Sequence, residues 1–376
     1  MDIDEYAKLS QQFEAKKFDA EKWAAVAEEA AMKYMVMVSK HYDGFALWNS
    51  KTSTNNFTSI NSAAKKDFIA DYVKAAKARG LKVGLYYSPL DWRFPGFFFP
   101  DMYKTSAEQM KAQTYGQVKE LLTQYGKIDL LWYDGGEDEW LGHGGIEFGG
   151  SSPSWHVRPK NKPYKGAFSW EPLKLNSMVR TLQPKIVINP RSGWKGDFDT
   201  REMEDGGMQT NRPWERCFTI SKGGWGWKPN APVWPLDSLI KKLVKVVCMG
   251  GNMLLNVGPN AAGEIEPEQI KRLQEMGTWL KINGESIYST TGGPVNFDES
   301  WGGTTSKKNC IYVHFLNAKP NTAITIPLKG KKIIKAKYLN TDTAVDFSQT
   351  QETVTIQILN TASTAIDTII KLETNE

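Results

Sequence analysis

Asp134 ends the strand expected over 128–133 and is followed by two glycines, Gly135-Gly136. Period two along a strand would put Trp132 and Leu130 on the same side as this carboxylate. The glycines let backbone or ligand come close. An aspartate placed beside an indole at a strand tip suits a nucleophile attacking an anomeric carbon; the plainer alternative is a residue that opens a turn. Lys40-His41-Tyr42-Asp43-Gly44-Phe45 follows another apolar run, and His41 could hold a hydroxyl, shuttle a proton, or be a satisfied buried histidine. Tyr86-Tyr87-Ser88 ends a third run, and one tyrosine must face inward and the other outward. Asn189-Pro190-Arg191 ends a fourth. An inward Arg191 would orient a carboxylate or hold hydroxyls, since guanidinium keeps its charge. A glycosidase needs a second carboxyl group that protonates the leaving oxygen. Glu202, Glu204 and Glu215 are candidates, with a solvated loop glutamate as the alternative for each. Trp214, Trp225, Trp227 and Trp234 crowd a Gly/Pro-rich stretch that reads as a loop. They suit a sugar platform or a structural cover.

The elements that must position these residues alternate. Helical stripes (Trp23, Val26, Ala27, Ala30, capped by Asp19; Ile69, Tyr72, Val73, Ala76; Val118, Leu121, Leu122, Tyr125; Leu239, Ile240, Leu243, Val246, Val247) precede short apolar strands near 34–39, 81–88, 128–133, 186–188 and 253–257. Such alternation predicts a parallel sheet wrapped by helices, closed or open, with the polar residues at the carboxyl ends of strands where sites form. No GxGxxG follows the first strand. Beyond Asn283-Gly284 the pattern changes to short alternating runs near 310–316, 323–327, 333–339, 354–359 and 365–372, which predicts an antiparallel β-sandwich. The expected division is a catalytic barrel-like domain over 1–290 and a sandwich over 291–376.

Composition narrows the classes. The chain has 376 residues, 40% hydrophobic and 24% charged, which is enough apolar surface for a core. The net charge of +5 comes from 47 basic and 42 acidic residues without a basic block, so no nucleic-acid partner is expected. Three cysteines and four histidines show no disulfide framework and no metal-ligand spacing. No apolar run reaches the ~18 residues of a membrane span, so no membrane partner is expected. The first residues carry no signal-peptide pattern. The compartment stays unassigned, periplasmic or secreted if a leader has been removed.

Taken together, several stretches resemble the retaining α-L-fucosidases of glycoside hydrolase family 29. They are Phe18-Asp19-Ala20-Glu21-Lys22-Trp23, then Lys40-His41-Tyr42-Asp43-Gly44-Phe45-Ala46-Leu47-Trp48, then Gly80-Leu81-Lys82-Val83-Gly84-Leu85-Tyr86-Tyr87-Ser88 with Asp91-Trp92. Tyr125-Gly126-Lys127-Ile128-Asp129-Leu130-Leu131-Trp132-Tyr133-Asp134-Gly135, Trp214-Glu215-Arg216-Cys217, Gly250-Gly251-Asn252-Met253-Leu254-Leu255-Asn256-Val257-Gly258-Pro259 and Asn283-Gly284-Glu285-Ser286-Ile287-Tyr288 follow in the family's order. The resemblance implies an irregular or incomplete (β/α) barrel with a C-terminal β-sandwich. It implies Asp134 as nucleophile and Trp132, His41 and Trp48 in the pocket, with Tyr42 where the family usually has a second histidine. It further implies a pocket tyrosine at Tyr86 or Tyr87, with Tyr87 favoured, Arg191 beside the carboxylate, and Trp225 on the C6 methyl of fucose. Glu202, in a Gly-Asp-Phe-x-Thr-x-Glu run, is the first choice for acid/base. No metal and no organic cofactor is implied.

The implied activity is release of terminal α-L-fucose from a fucosylated oligosaccharide or glycoconjugate. The family's first barrel strand, with a sugar-binding histidine, would precede residue 10, so an incomplete barrel is expected. Assembly into a homo-oligomer would cover its strand edges. Two rival readings follow: a weak or inactive fucose-binding homologue, and an α-L-galactosidase of the same mechanism.

Overall fold

A computed structural model describes residues 3–135, 168–191, 195–204, 206–316, 321–358 and 366–375. Contacts divide the chain into two compact units. The first is Met1–Glu28, Met32–Phe198 and Asn260–Glu264; the second is Glu29–Ala31, Asp199–Pro259 and Ile265–Glu376.

The first unit contains α1 (Ile3–Lys8), α2 (Ala20–Glu29), β1 (Tyr34–Lys40), α3 (Phe68–Ala78), β2 (Lys82–Tyr87), α4 (Pro95–Phe98), α5 (Lys104–Gln124), β3 (Leu130–Tyr133), α6 (Pro172–Leu182) and β4 (Val187–Ile188). The four strands form one parallel sheet in sequence order. The stripe Ile69, Tyr72, Val73 and Ala76 is buried as expected. α3 ends on Gly80 at φ +70°, with Leu81 N donating to Ala76 O and Gly80 N to Lys77 O. This Schellman closure lets β2 begin after almost no loop.

The sheet has two unlike faces. Met37, Leu85, Leu131 and Ile188 are register partners and pack with α3, α5 and α6 in one core, joined by Tyr87 and Tyr133. Val38, Tyr86 and Trp132 are partners on the opposite face, turned from the helices. A bulge between Val38 and Lys40 puts Lys40 level with Tyr87, on the helix side. The next residue, His41, therefore returns to the side of Tyr86.

In the second unit β5 (Asp199–Glu202), β6 (Trp214–Thr219) and β7 (Asn252–Asn256) form a parallel sheet beside α7 (Leu236–Cys248), followed by α8 (Pro267–Asn283). Trp214 lies in β6, wholly buried against Val246 and Met249, instead of in a loop. The polar segment 199–202 is also a strand rather than a loop, because it pairs with β6 along its length. Eight short strands complete this unit: β8 (Thr291–Gly292), β9 (Gly302–Lys307), β10 (Cys310–Phe315), β11 (Thr322–Pro327), β12 (Ile333–Tyr338), β13 (Phe347–Gln349), β14 (Thr353–Ile358) and β15 (Thr368–Thr374). They make antiparallel sheets ordered β12-β15-β10-β9-β8 and β11-β14-β13. Ile311, Val313, Phe315, Ile370 and Leu372 of one sheet share a core with Ile326, Val354, Ile356 and Ile358 of the other, which is a sandwich. Among the described residues the parallel strands stay in two separate sheets and no closed barrel is present.

Trp48 is a correction. It is wholly buried, and its indole N–H donates to Glu120 at 3.1 Å, so it packs the loop after β1 instead of lining a pocket. Glu120 also accepts from Lys51 N (2.9 Å), Thr52 N (3.0 Å) and the Thr52 hydroxyl (3.2 Å). Removing this carboxylate strands the buried Trp48 N–H and three part-buried donors. Glu120→Ala is expected to cost about 2–4 kcal/mol, read as a lower urea midpoint at unchanged slope; an unchanged midpoint would show that the loop does not depend on it.

Candidate active site

At the carboxyl edge of the first sheet, planar groups from successive strands lie over one another. Tyr42 stacks on His41 (4.7 Å between centroids, 27° between planes), His41 on Tyr86 (5.6 Å, 2°), and Tyr86 on Trp132 (5.5 Å, 16°). The Arg191 guanidinium lies over Trp132 at 5.2 Å. Strands are about 4.8 Å apart, so level residues on one face of an in-register parallel sheet stack in this way.

Asp134 sits at the end of this row. Its Oδ1 accepts from Arg191 Nη1 (2.9 Å) and from Gly135 N (2.9 Å). Its Oδ2 accepts the Tyr86 hydroxyl and faces His41 Nε2 at 3.8 Å. The carboxylate is thus held in one orientation while part of it stays accessible. The backbone beneath is equally determined. Asp134 N donates to Tyr87 O, and the Asn189 side-chain amide pairs with both the N–H and the carbonyl of Tyr133, each at 2.8 Å. That amide continues the ladder where β4, only two residues long, has ended. Arg191 follows one proline later.

Burial raises the pKa of the Tyr86 phenol strongly, and the Asp134 charge adds to this, so Tyr86 is a hydrogen-bond donor at any working pH. Burial lowers the pKa of His41, against the opposing pull of Asp134 and Asp43. His41 is therefore neutral at pH 7 and able both to donate and to accept. Below it, on the helix side, buried Lys40 donates to Leu90 O at 3.1 Å, and desolvation lowers its pKa to about 8. Buried Asp91 takes Arg93 Nε (2.9 Å), Arg93 Nη2 (2.6 Å) and Gln113 Nε2 (3.0 Å), and Arg93 Nη2 also reaches Gly44 O. Burial would raise the Asp91 pKa, but the charges of Arg93 and Lys40 hold it below the usual carboxylate range. This buried network ties the loops after β1 and β2 together.

Residues 3–285 match the profile of a family described as Alpha-L-fucosidase. The chain belongs to the α-L-fucosidase family. It is 31% identical to human plasma α-L-fucosidase over 319 residues, which is 81% of this chain and 63% of that protein. It is 30% identical to human tissue α-L-fucosidase over 334 residues, 85% of this chain and 66% of that protein. The chain therefore spans about two thirds of the length of these curated fucosidases. Among solved structures, α-L-fucosidase isoenzyme 1 of Paenibacillus thiaminolyticus matches at TM-score 0.81 and 30% identity, covering 99% of this chain and 90% of that one. A Bacteroides thetaiotaomicron family 29 fucosidase, trapped as a covalent intermediate with 2-fluoro-fucosyl fluoride, matches at TM-score 0.83 and 26% identity, covering 100% and 86%. These fucosidase structures and the sheets above carry the same architecture, parallel β/α segments followed by a β-sandwich.

The structure brings together His41, Tyr42, Trp132, Asp134 and Arg191. Tyr87 is a second correction. It is 0% exposed, donates to Gln117 at 2.8 Å and belongs to the helix-side core, and Tyr86 is the tyrosine at Asp134. The signal was present in β2: Val83, Leu85 and Tyr87 are its continuous apolar set and so its helix side, which leaves Gly84 and Tyr86 for the other face. Asn189 and the backbone N–H of Gly135 are further site-forming groups not singled out by residue type. Gly136 lies outside the described residues.

Glu202 and Trp225 belong to the second unit. Thr200, Glu202, Glu215 and Cys217 share the face of β5–β6 turned from α7, because Trp214 and Phe218, on the alternate positions, face that helix. Glu202 ends β5, whereas Glu215 lies at the opposite end of the sheet, level with Thr200 and Asn252, and is buried. Glu204 is exposed beyond the strand. Trp225 is 43% exposed, and its carbonyl accepts from Asn256 Nδ2 at 2.9 Å.

His41 titration checks the electrostatics. Its imidazole resonances, assigned with His41→Gln, are expected to titrate below the ordinary pH 6.5. Asp134→Asn removes the charge that raises this value, so the midpoint is expected to fall further; a midpoint above 6.5, or one that rises in the variant, would contradict the arrangement.

Proposed function

We propose that this chain is a retaining exo-α-L-fucosidase. The observation that carries the reading is a carboxylate, Asp134, fixed by Arg191, Tyr86 and Gly135 beside Trp132 and His41, in a chain of the α-L-fucosidase family. Asp134 attacks the anomeric carbon of a terminal L-fucose of a fucosylated oligosaccharide or glycoconjugate. The bond from that carbon to the glycosidic oxygen breaks as Glu202 gives the oxygen its proton. A fucosyl ester of Asp134 remains. Water, deprotonated by Glu202, then attacks the same carbon, releases Asp134 and restores the proton on Glu202. Two inversions leave the configuration retained, and no cofactor enters.

Glu202 is preferred to its neighbours for positional reasons. It stands at the carboxyl end of its strand, where β/α sites form, and is neither buried at the far end like Glu215 nor past the strand like Glu204. Arg191 and Tyr86 orient Asp134 for attack, and neutral His41 and Tyr42 hold sugar hydroxyls. Trp225 supplies an apolar surface for the C6 methyl.

Hydrolysis of 4-nitrophenyl α-L-fucopyranoside tests the reading. Asp134→Ala is expected to lower kcat by about a thousandfold or more. Glu202→Ala is expected to regain turnover with azide, giving a fucosyl azide of retained configuration. Full activity in Asp134→Ala would overturn the assignment. A folded parent chain that binds L-fucose in calorimetry but never hydrolyses the glycoside would identify a binding module.

A further inference from the structure

The loop that carries Trp225 is more constrained than its composition suggests. Its neck is closed by Lys222 N to Pro232 O (2.8 Å), Trp234 N to Ile220 O (3.0 Å) and a bridge between Ser221 and Val233. Its tip is tied to the carboxyl end of β7 through Asn256 and Trp225 O. The backbone at Trp227 packs so tightly on Gly258 that a Cβ there would lie 2.9 Å from Trp227 N. The indole N–H of Trp227 donates to Glu266 Oε1 at 2.7 Å, at the start of α8. Yet the Trp227 side chain is 39% exposed. An indole whose one polar atom is anchored, on a backbone pinned on both sides, presents a face of fixed orientation to solvent. A face held in this way loses little conformational freedom when a ligand packs on it.

Resting on the fucosidase reading, we infer that Trp227 is the platform for the sugar on the leaving-group side of the scissile bond. The occupant is a pyranose whose axial C–H groups pack on the indole face, with its hydroxyls in water. Trp225 and Trp227 are separated only by Gly226, at whose Cα an added Cβ would meet nothing within 4 Å. Neighbouring aromatics on one pinned tip can therefore meet neighbouring sugars: the terminal fucose at Trp225 and the next residue at Trp227. Trp227 thus favours, among fucosides, those whose leaving group is a pyranose.

The test compares α-L-fucosyl fluoride, whose leaving group has no ring, with 2′- and 3-fucosyllactose, using the isomer turned over faster. In Trp227→Ala the ratio of kcat/KM, trisaccharide over fluoride, is expected to fall at least tenfold, and in Trp227→Phe by less. A merely structural role would lower both substrates together and leave the ratio unmoved, which would overturn the inference. Lactose affinity by calorimetry provides a readout that needs no turnover. A tenfold weakening in Trp227→Ala supports the platform even if hydrolysis fails for other reasons, and equal lactose affinity in parent and variant contradicts it.

Discussion

The register between Tyr86 and Trp132 is the constraint on which the site depends. Those residues are level on adjacent parallel strands, so their rings stack, and Asp134, one residue past the end of β3, meets the hydroxyl of the tyrosine beside it. A slip of β3 by one residue would turn its side chains to the other face of the sheet. Trp132 would then point into the helices, and Tyr133 would point out beside Tyr86. What prevents the slip is the opposite face, where Leu85, Tyr87, Leu131, Tyr133 and Ile188 are wholly buried. Core packing and site geometry are therefore the same fact seen from two sides of one sheet. The stacked pairs add roughly 0.5–1.5 kcal/mol each, which is small beside the burial that sets the register.

Local devices complete the edge where regular structure runs out. The bulge in β1 returns His41 to the site face and sends Lys40 to the core, where its ammonium finds a carbonyl and the Asp91–Arg93 pair. The Asn189 amide imitates one more residue of strand pairing and lets the chain turn at Pro190, so that Arg191 comes back over Trp132 and onto Asp134. In the second unit the same economy appears at β7, whose last residue, Asn256, holds the loop with the two exposed tryptophans. Planar side chains on pinned backbone offer binding surfaces that lose little entropy when a ligand arrives.

Much of this was legible in residue order. The stripes of α3 and α7, the glycine stops, the strand tips bearing His41, Asp134 and Arg191, and the change to sandwich alternation all follow from periodicity and turn chemistry. The family resemblance narrowed the glutamate candidates to Glu202 and gave Trp225 its proposed contact with the C6 methyl. What escaped has physical causes. Asp199-Thr200-Arg201-Glu202 has no apolar alternation, and its extended form comes from pairing with β6, which local sequence does not display. Tyr86 and Tyr87 have the same side chain, and only the burial of Val83 and Leu85 on one face separates them. Trp48 follows a motif that implies the pocket, but Glu120, seventy-two residues on, draws its indole N–H into the core.

The proposed mechanism has a carboxylate oxygen of Asp134 bond directly to the sugar. Incubation with 2-fluoro-fucosyl fluoride, followed by peptide mass spectrometry, addresses that bond itself. One fluorofucosyl group per chain on the peptide containing Asp134, absent from Asp134→Asn, is the predicted result. A label on another carboxylate would contradict the account, as would steady turnover of the reagent in the Asp134→Asn chain.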